Sequence, residues 1–109
     1  MQFCDINIRD PFVMPYEGKY YMYGTAGWGM KGIFPVYESL DLEDWDGPFT
    51  AFKPTENFWA DRDFWAPEVV HHNGKFVMHH SARRAEDNSL RLGVAVSDSP
   101  EGPFTDVYG

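Results

Sequence analysis

Asp10-Pro-Phe-Val-Met-Pro-Tyr-Glu-Gly-Lys-Tyr-Tyr-Met-Tyr23 decides the reading of this chain, because it can be laid over Ala66-Pro-Glu-Val-Val-His-His-Asn-Gly-Lys-Phe-Val-Met-His79. Pro11 falls on Pro67, Val13 on Val69, Gly18 on Gly74, Lys19 on Lys75 and Met22 on Met78, each at an offset of 56. Gly47-Pro-Phe-Thr50 returns as Gly102-Pro-Phe-Thr105 at an offset of 55. Val36-Tyr-Glu-Ser39 lies over Val94-Ala-Val-Ser97 at 58. Three blocks in one order at nearly one period constitute an internal repeat, and the repeat governs the fold.

Each unit reads as four short strands. In the second, Glu68–His72 and Lys75–Ser81 flank Asn73-Gly74, a dipeptide whose residues accept the positive φ of a tight hairpin. Glu17-Gly18 occupies the same place in the first. A third run follows (Phe34–Ser39; Leu92–Ser97), and a Gly-Pro turn leads to an outer strand at Phe49–Phe52 and Phe104–Val107. No segment has a capped 3.6-residue period, and Leu40–Trp45 makes one helical turn at most. The spacing predicts an all-β fold of β-propeller blades, two four-stranded antiparallel units in one partial domain over 1–109. Blade 1 covers about 8–56 and blade 2 about 64–109. A Greek-key sandwich is the rival, although it has no need of the repeat.

Composition narrows the function classes. The 109 residues are 43% hydrophobic and 17% aromatic, so nine Phe, six Tyr and four Trp must fill a core or line a binding surface. Nine Lys and Arg against seventeen Asp and Glu give a net charge of -8. Such a surface repels phosphate backbones and excludes nucleic acid as the expected partner. No apolar run approaches the roughly 20 residues of a membrane span. Met1-Gln-Phe lacks the basic and apolar regions of a signal peptide, which implies a cytoplasmic location if Met1 is the native start. The single Cys4 has no disulfide or metal partner of its own kind.

In a propeller the starts of the innermost strands converge at the central channel. Asp10 opens the first, and its repeat partner is Ala66, so the repeat itself requires no acid there. Pro11 is expected to hold Asp10 extended and aim its side chain. Glu68 falls on the same side as Ala66, and a two-residue hairpin would set it opposite His79, as an acid–imidazole pair or a structural contact. His71-His72 and His79-His80 each point to opposite faces of a strand, so neither pair chelates one ion. Trp28, Trp59, Phe64 and Trp65 lie in or beside connections, where aromatic faces suit sugar rings or pack between blades. Trp45 reads as structural.

Here the residues resemble a known family. Arg9-Asp10-Pro11-Phe12-Val13 with Gly18-Lys19-Tyr20-Tyr21 is similar to the opening of glycoside hydrolase family 43. Phe64-Trp65-Ala66-Pro67-Glu68-Val69, then Asn73-Gly74-Lys75-Phe76, resembles its second-blade motif. The tail Gly93-Val94-Ala95-Val96-Ser97-Asp98-Ser99-Pro100-Glu101-Gly102-Pro103-Phe104 extends the likeness over nearly the whole chain. The resemblance implies a five-bladed propeller and an inverting glycosidase acting on arabinose- and xylose-containing glycans of the plant cell wall.

In that family a first-blade Asp is the general base, which implies this role for Asp10. The acid-tuning Asp and the general-acid Glu come from later blades, beyond this sequence. Glu101 sits in a Glu-Gly-Pro string like the acid's, but the repeat pairs it with Asp46 in an outer turn, so it is not the acid. Trp65 and Glu68 are implied on the substrate side, with Arg9, Phe64 and Trp28 in the same substrate-binding set. No cofactor is implied; where the full-length family holds calcium, the ligands lie in blades other than these. The expectation is therefore a glycosidase portion with the base and without the acid, inactive alone and self-associating through exposed blade faces. The alternatives are a carbohydrate-binding module assembled from several chains and a fructan or sucrose hydrolase relative. Trp-Ala-Pro-Glu argues against the last.

Overall fold

The computed structural model describes all residues other than 3, 4, 7, 27–32, 56, 57, 108 and 109. Eight strands follow one another: β1 (Ile8–Tyr16), β2 (Lys19–Ala26), β3 (Phe34–Ser39), β4 (Asp46–Phe52), β5 (Ala60–His72), β6 (Lys75–Arg84), β7 (Leu90–Ser97) and β8 (Thr105–Asp106). They form two four-stranded antiparallel sheets in the orders β1-β2-β3-β4 and β5-β6-β7-β8. Each is a meander, the form of a propeller blade, and the all-β reading of the repeat holds.

The hairpins explain the registers. Glu17 and Gly18 have φ of 46° and 80°, and Asn73 and Gly74 have 49° and 76°. Positive φ at both central residues gives the primed turn whose twist suits paired strands. Tyr16 therefore meets Lys19, and His72 meets Lys75. From the second turn the ladder runs back to place Glu68 opposite His79, as the hairpin spacing requires.

Two expectations need correction. The innermost strand of the second unit, expected from Glu68, begins at Ala60, and the irregularities at Ala60/Arg62 and Arg62/Trp65 carry the pairing outward. The last outer strand is only Thr105–Asp106, because the Phe104 N–H donates to the Ala51 carbonyl of the other sheet at 2.8 Å. Leu40–Trp45 forms no helical turn. The Asp41 carboxylate accepts from the Glu43 and Asp44 amides, and Ser39 Oγ accepts from those of Asp41 and Leu42. These side chains replace the carbonyl acceptors a helix would need. The same amide donors hold the Asp41 carboxyl below its ordinary pKa.

The sheets pack face to face over one core. Blade 1 contributes Met14, Tyr21, Tyr23, Phe34, Val36 and Phe52, and blade 2 contributes Phe64, Val69, Phe76, Met78, Ala95 and Phe104. Each large apolar side chain fully withdrawn from water contributes about 1.5–3 kcal/mol. Two polar ties pin the edges of this interface: Tyr23 Oη donates to the Pro100 carbonyl at 2.6 Å, and the Phe104–Ala51 bond runs beside it. The far face of blade 1 is covered separately, by Trp45 over Met22 and Tyr37 with Ile6, Ile8 and Tyr20 alongside. Trp45 is 2% exposed, which fits its structural reading.

His80 lies inside this core, 1% exposed, with neither ring nitrogen hydrogen-bonded among the described residues. Phe34 and Phe52 stand 5.1 and 5.3 Å from its ring, and Trp59 is stacked above it at 6.3 Å. Across the ladder is Gly93, where a Cβ would come within 2.4 Å of His80 Cε1. Burial pushes the imidazole pKa below its ordinary value. The native state therefore keeps His80 neutral while the unfolded chain takes up a proton below about pH 6.5, so acidification removes stability. Thermal melts are expected to shift downward as pH falls through that region. His80→Phe, which fills the same cage without a titratable group, is expected to flatten that part of the dependence. An unchanged slope in the Phe variant would locate the acid sensitivity elsewhere.

Candidate functional site

The register of each innermost hairpin breaks at the same place. In blade 1 the shift falls between Arg9 and Phe12, and in blade 2 between Trp65 and Glu68. These are repeat positions, since 9 + 56 is 65 and 12 + 56 is 68. Each break is a β-bulge holding an X-Pro pair, Asp10-Pro11 or Ala66-Pro67, outside the ladder. Bulges bend a strand and re-aim the side chains they carry. Asp10 has φ 51° and Ala66 has φ 50°. The expectation that Pro11 holds Asp10 extended is thus wrong: the bulge places Asp10 in the left-handed region, where Asp is tolerated better than most residues.

Thr25 joins the two bulges. It is 3% exposed, stands opposite Arg9 on β2, and donates from Oγ1 to Asp10 Oδ2 at 3.0 Å. The same oxygen accepts the Ala66 N–H of blade 2 at 2.9 Å. Arg9-Asp10 of one sheet is thereby set beside Trp65-Ala66 of the other. Asp10 and Arg9 are exposed, and Trp65 is 37% exposed. An open carboxylate at the junction of two sheets suits a polar, hydroxyl-rich ligand.

Of the candidate residues, Asp10 is tied to the backbone of the second bulge and Arg9 pairs with Thr25, whereas Trp65 pairs with Ser81 and so falls by register on the far face of blade 2 with Leu92. Glu68 is exposed and faces His79 along the ladder, farther down the same hairpin. Phe64 is a correction: it is 7% exposed in the core, 6.1 Å from Phe34 and 6.5 Å from Phe52, and offers no face to a ligand. The irregular start of β5 turns it inward, where the chain alone suggested a connection. Trp28 lies outside the described residues. Trp59 stacks on His80 and half-covers the core.

The four histidines occupy separate settings. His80 is in the core, His79 faces Glu68, His71 packs against Tyr16 and Phe76, and His72 contacts Asn73. Among the described residues no three His, Cys, Asp or Glu side chains gather as a metal site. Glu101 lies in the turn before β8, where it accepts from Ser99 Oγ, and that bond holds its carboxyl below the ordinary value.

Sequence reasoning missed Thr25 and the Asp63–Arg83 pair. Asp63, at φ 57°, accepts from Arg83 Nε at 2.7 Å and braces the upper ends of β5 and β6. A signal for Thr25 existed: 25 + 56 is 81, so a hydroxyl, Thr or Ser, stands at this place in both units. Gly24 beside it permits the close approach of β1. A Cβ there would lie 2.8 Å from Ile8 Cδ1 and 2.9 Å from the Arg9 carbonyl oxygen. A backbone oxygen cannot swing away, so Gly24→Ala is expected to push the first bulge outward. We expect a loss of about 1–3 kcal/mol, the range for overpacked sites, read from urea unfolding midpoints.

The sequence over residues 4–109 matches the family described as Glycosyl hydrolases family 43. The xylosidase/arabinosidase 43A of Humicola insolens is 30% identical over 93% of this chain and 35% of its own length. A solved structure of a thermostable family-43 glycoside hydrolase superposes with a TM-score of 0.83 at 42% identity, over 93% of this chain and 32% of that one. An endo-arabinase from Bacteroides thetaiotaomicron superposes with a TM-score of 0.87 at 29% identity, over 98% of this chain and 37% of that one. The chain spans about a third of the length of the relatives it matches.

Proposed function

This chain belongs to glycosyl hydrolases family 43, and from that premise we propose that it supplies the first two blades of an inverting glycosidase. Its substrates are arabinose- or xylose-containing oligo- and polysaccharides of plant cell walls, and Asp10 is its general base. One observation carries the reading. The two bulges share backbone geometry, yet only the first bears a carboxylate, exposed at the junction of the blades and held by a buried hydroxyl.

The chemistry follows from that placement. Inversion needs a base that strips a proton from water on one face of the sugar while an acid protonates the leaving oxygen on the other. The two carboxyl groups stand roughly 6.5–9.5 Å apart to admit that water. Asp10, open to solvent at the blade junction, is placed to meet that water and suits the first task. The acid must stay protonated, which needs burial or a neighbouring carboxylate. We assign the acid and the carboxylate that tunes it to further blades of the ring. Arg9, exposed beside Asp10, offers donors to the hydroxyls of the sugar.

By itself the chain is expected to hydrolyse aryl arabinofuranosides and xylosides no faster than buffer. The decisive protein is a chimaera in which it replaces the matching third of Humicola insolens xylosidase/arabinosidase 43A. Hydrolysis by the chimaera should fall about 10²–10⁴-fold in Asp10→Asn, the usual weight of one general base. Full activity in that variant would remove Asp10 from the mechanism.

A second property concerns assembly. On the far face of blade 2, Val70, Leu90 and Leu92 are 48%, 48% and 64% exposed. The ladder sets Val70 beside Val77 and Val96, so the apolar surface is continuous across the sheet. Exposed patches of this kind drive association. We infer that the chain self-associates through this face. Light scattering is expected to give a mass above one chain, and Leu92→Lys to lower it. A stable monomer in the parent chain would overturn the inference.

A further inference from the structure

Thr25 sits where two demands on one hydroxyl meet. Its oxygen has two lone pairs and a single proton. The Ala66 N–H can only donate, so the Thr25 oxygen must accept it, at 2.9 Å. The one proton is then free to point at Asp10 Oδ2, 3.0 Å away. The hydroxyl cannot turn around without forfeiting both bonds, and its 3% exposure keeps water from substituting for either partner. Accepting from an amide also polarises the O–H and makes it a better donor to the carboxylate.

We propose that Thr25 is a positioning residue that ties the Asp10 carboxylate to the backbone of the second blade, so that the orientation of this acid depends on blade-to-blade docking. The tie differs from a packing role in a way the repeat makes visible. Ser81 holds the equivalent place in blade 2, opposite Trp65 as Thr25 is opposite Arg9. There the bulge residue is Ala66, with no carboxylate to orient. The hydroxyl is common to both units; the relay through it to a carboxylate belongs to blade 1 alone. Its catalytic meaning rests on the reading of Asp10 as the base, but the contact itself does not.

Nuclear magnetic resonance of this chain tests the relay without any sugar. The Ala66 amide and the Asp10 side-chain carboxyl carbon are followed from neutral pH down through the carboxylate range. The Ala66 amide proton is expected to shift with the same midpoint as the Asp10 carboxyl. That shift should vanish in Asp10→Asn, persist in Thr25→Ser, and vanish in Thr25→Val although Asp10 still titrates. A hydroxyl with a purely structural role would leave the Ala66 amide indifferent to the charge on Asp10. The proposal is overturned if Ala66 fails to follow Asp10 in the parent chain, or if Thr25→Val follows it unchanged through the direct field of the carboxylate. Should Thr25→Val not fold, Thr25→Ala, which also removes the hydroxyl, is read in its place, and an Ala66 amide that still follows Asp10 there overturns the proposal. A relay that survives while the chimaera ignores Asp10→Asn would refute the base and leave the tie standing.

Discussion

A four-stranded antiparallel sheet with apolar side chains on both faces cannot bury them alone, and the rest of this molecule follows from that constraint. Tyr23, Phe34 and Phe52 have somewhere to go only because Val69, Met78 and Phe104 approach from the neighbouring sheet. The far side of blade 1 shows a local solution, with Trp45 and the N-terminal segment laid over Met22 and Tyr37. Blade 2 has no such cover over Val70, Leu90 and Leu92 among the described residues. One chain thus displays three states of the same problem: a face shared, a face capped and a face left open.

Close packing of this kind forces the polar groups at the interface to find partners across it, since an unpaired buried amide or hydroxyl costs about 1–3 kcal/mol. The Phe104 amide reaches the Ala51 carbonyl, Tyr23 reaches Pro100, and Thr25 reaches Ala66. These bonds add direction to an otherwise greasy contact and fix how one sheet is turned against the other. His80 is the exception. Its nitrogens have no partner among the described residues, and burial in the aromatic cage favours the neutral ring.

Much of this was legible in the residues. Asn73-Gly74 and Glu17-Gly18 set the hairpins and, through them, the pairing of Glu68 with His79. The offset of 56 located both innermost strands. Where reading failed, the cause was an interaction the chain does not advertise. Phe64 looks like a connection residue because the irregular start of β5 has no alternating pattern, and only the neighbouring sheet turns it into core. The conformation of Asp10 was not legible. A proline normally keeps the residue before it extended, and the bulge overrides that preference.

Left-handed backbone at a non-glycine residue is commonly taken as a mark of function, because strain persists where something is gained from it. The repeat allows that inference to be checked inside one molecule. Ala66 adopts the same φ as Asp10 within a degree, 50° against 51°, and has no chemistry to perform. For alanine the left-handed conformation costs roughly 1–2 kcal/mol. The strain must therefore serve the architecture. A bulged residue is released from its own ladder, and the Ala66 amide so released is the one that Thr25 receives from the adjoining sheet. The second bulge is a docking device, made by the fold and used where these two blades meet. A carboxylate placed on the first, as at Asp10, inherits a direction set by two sheets at once, which no strand could give it alone. The strain therefore does not mark Asp10 as functional; the proposal for Asp10 rests on its side chain, on a backbone that blade packing had already bent into place.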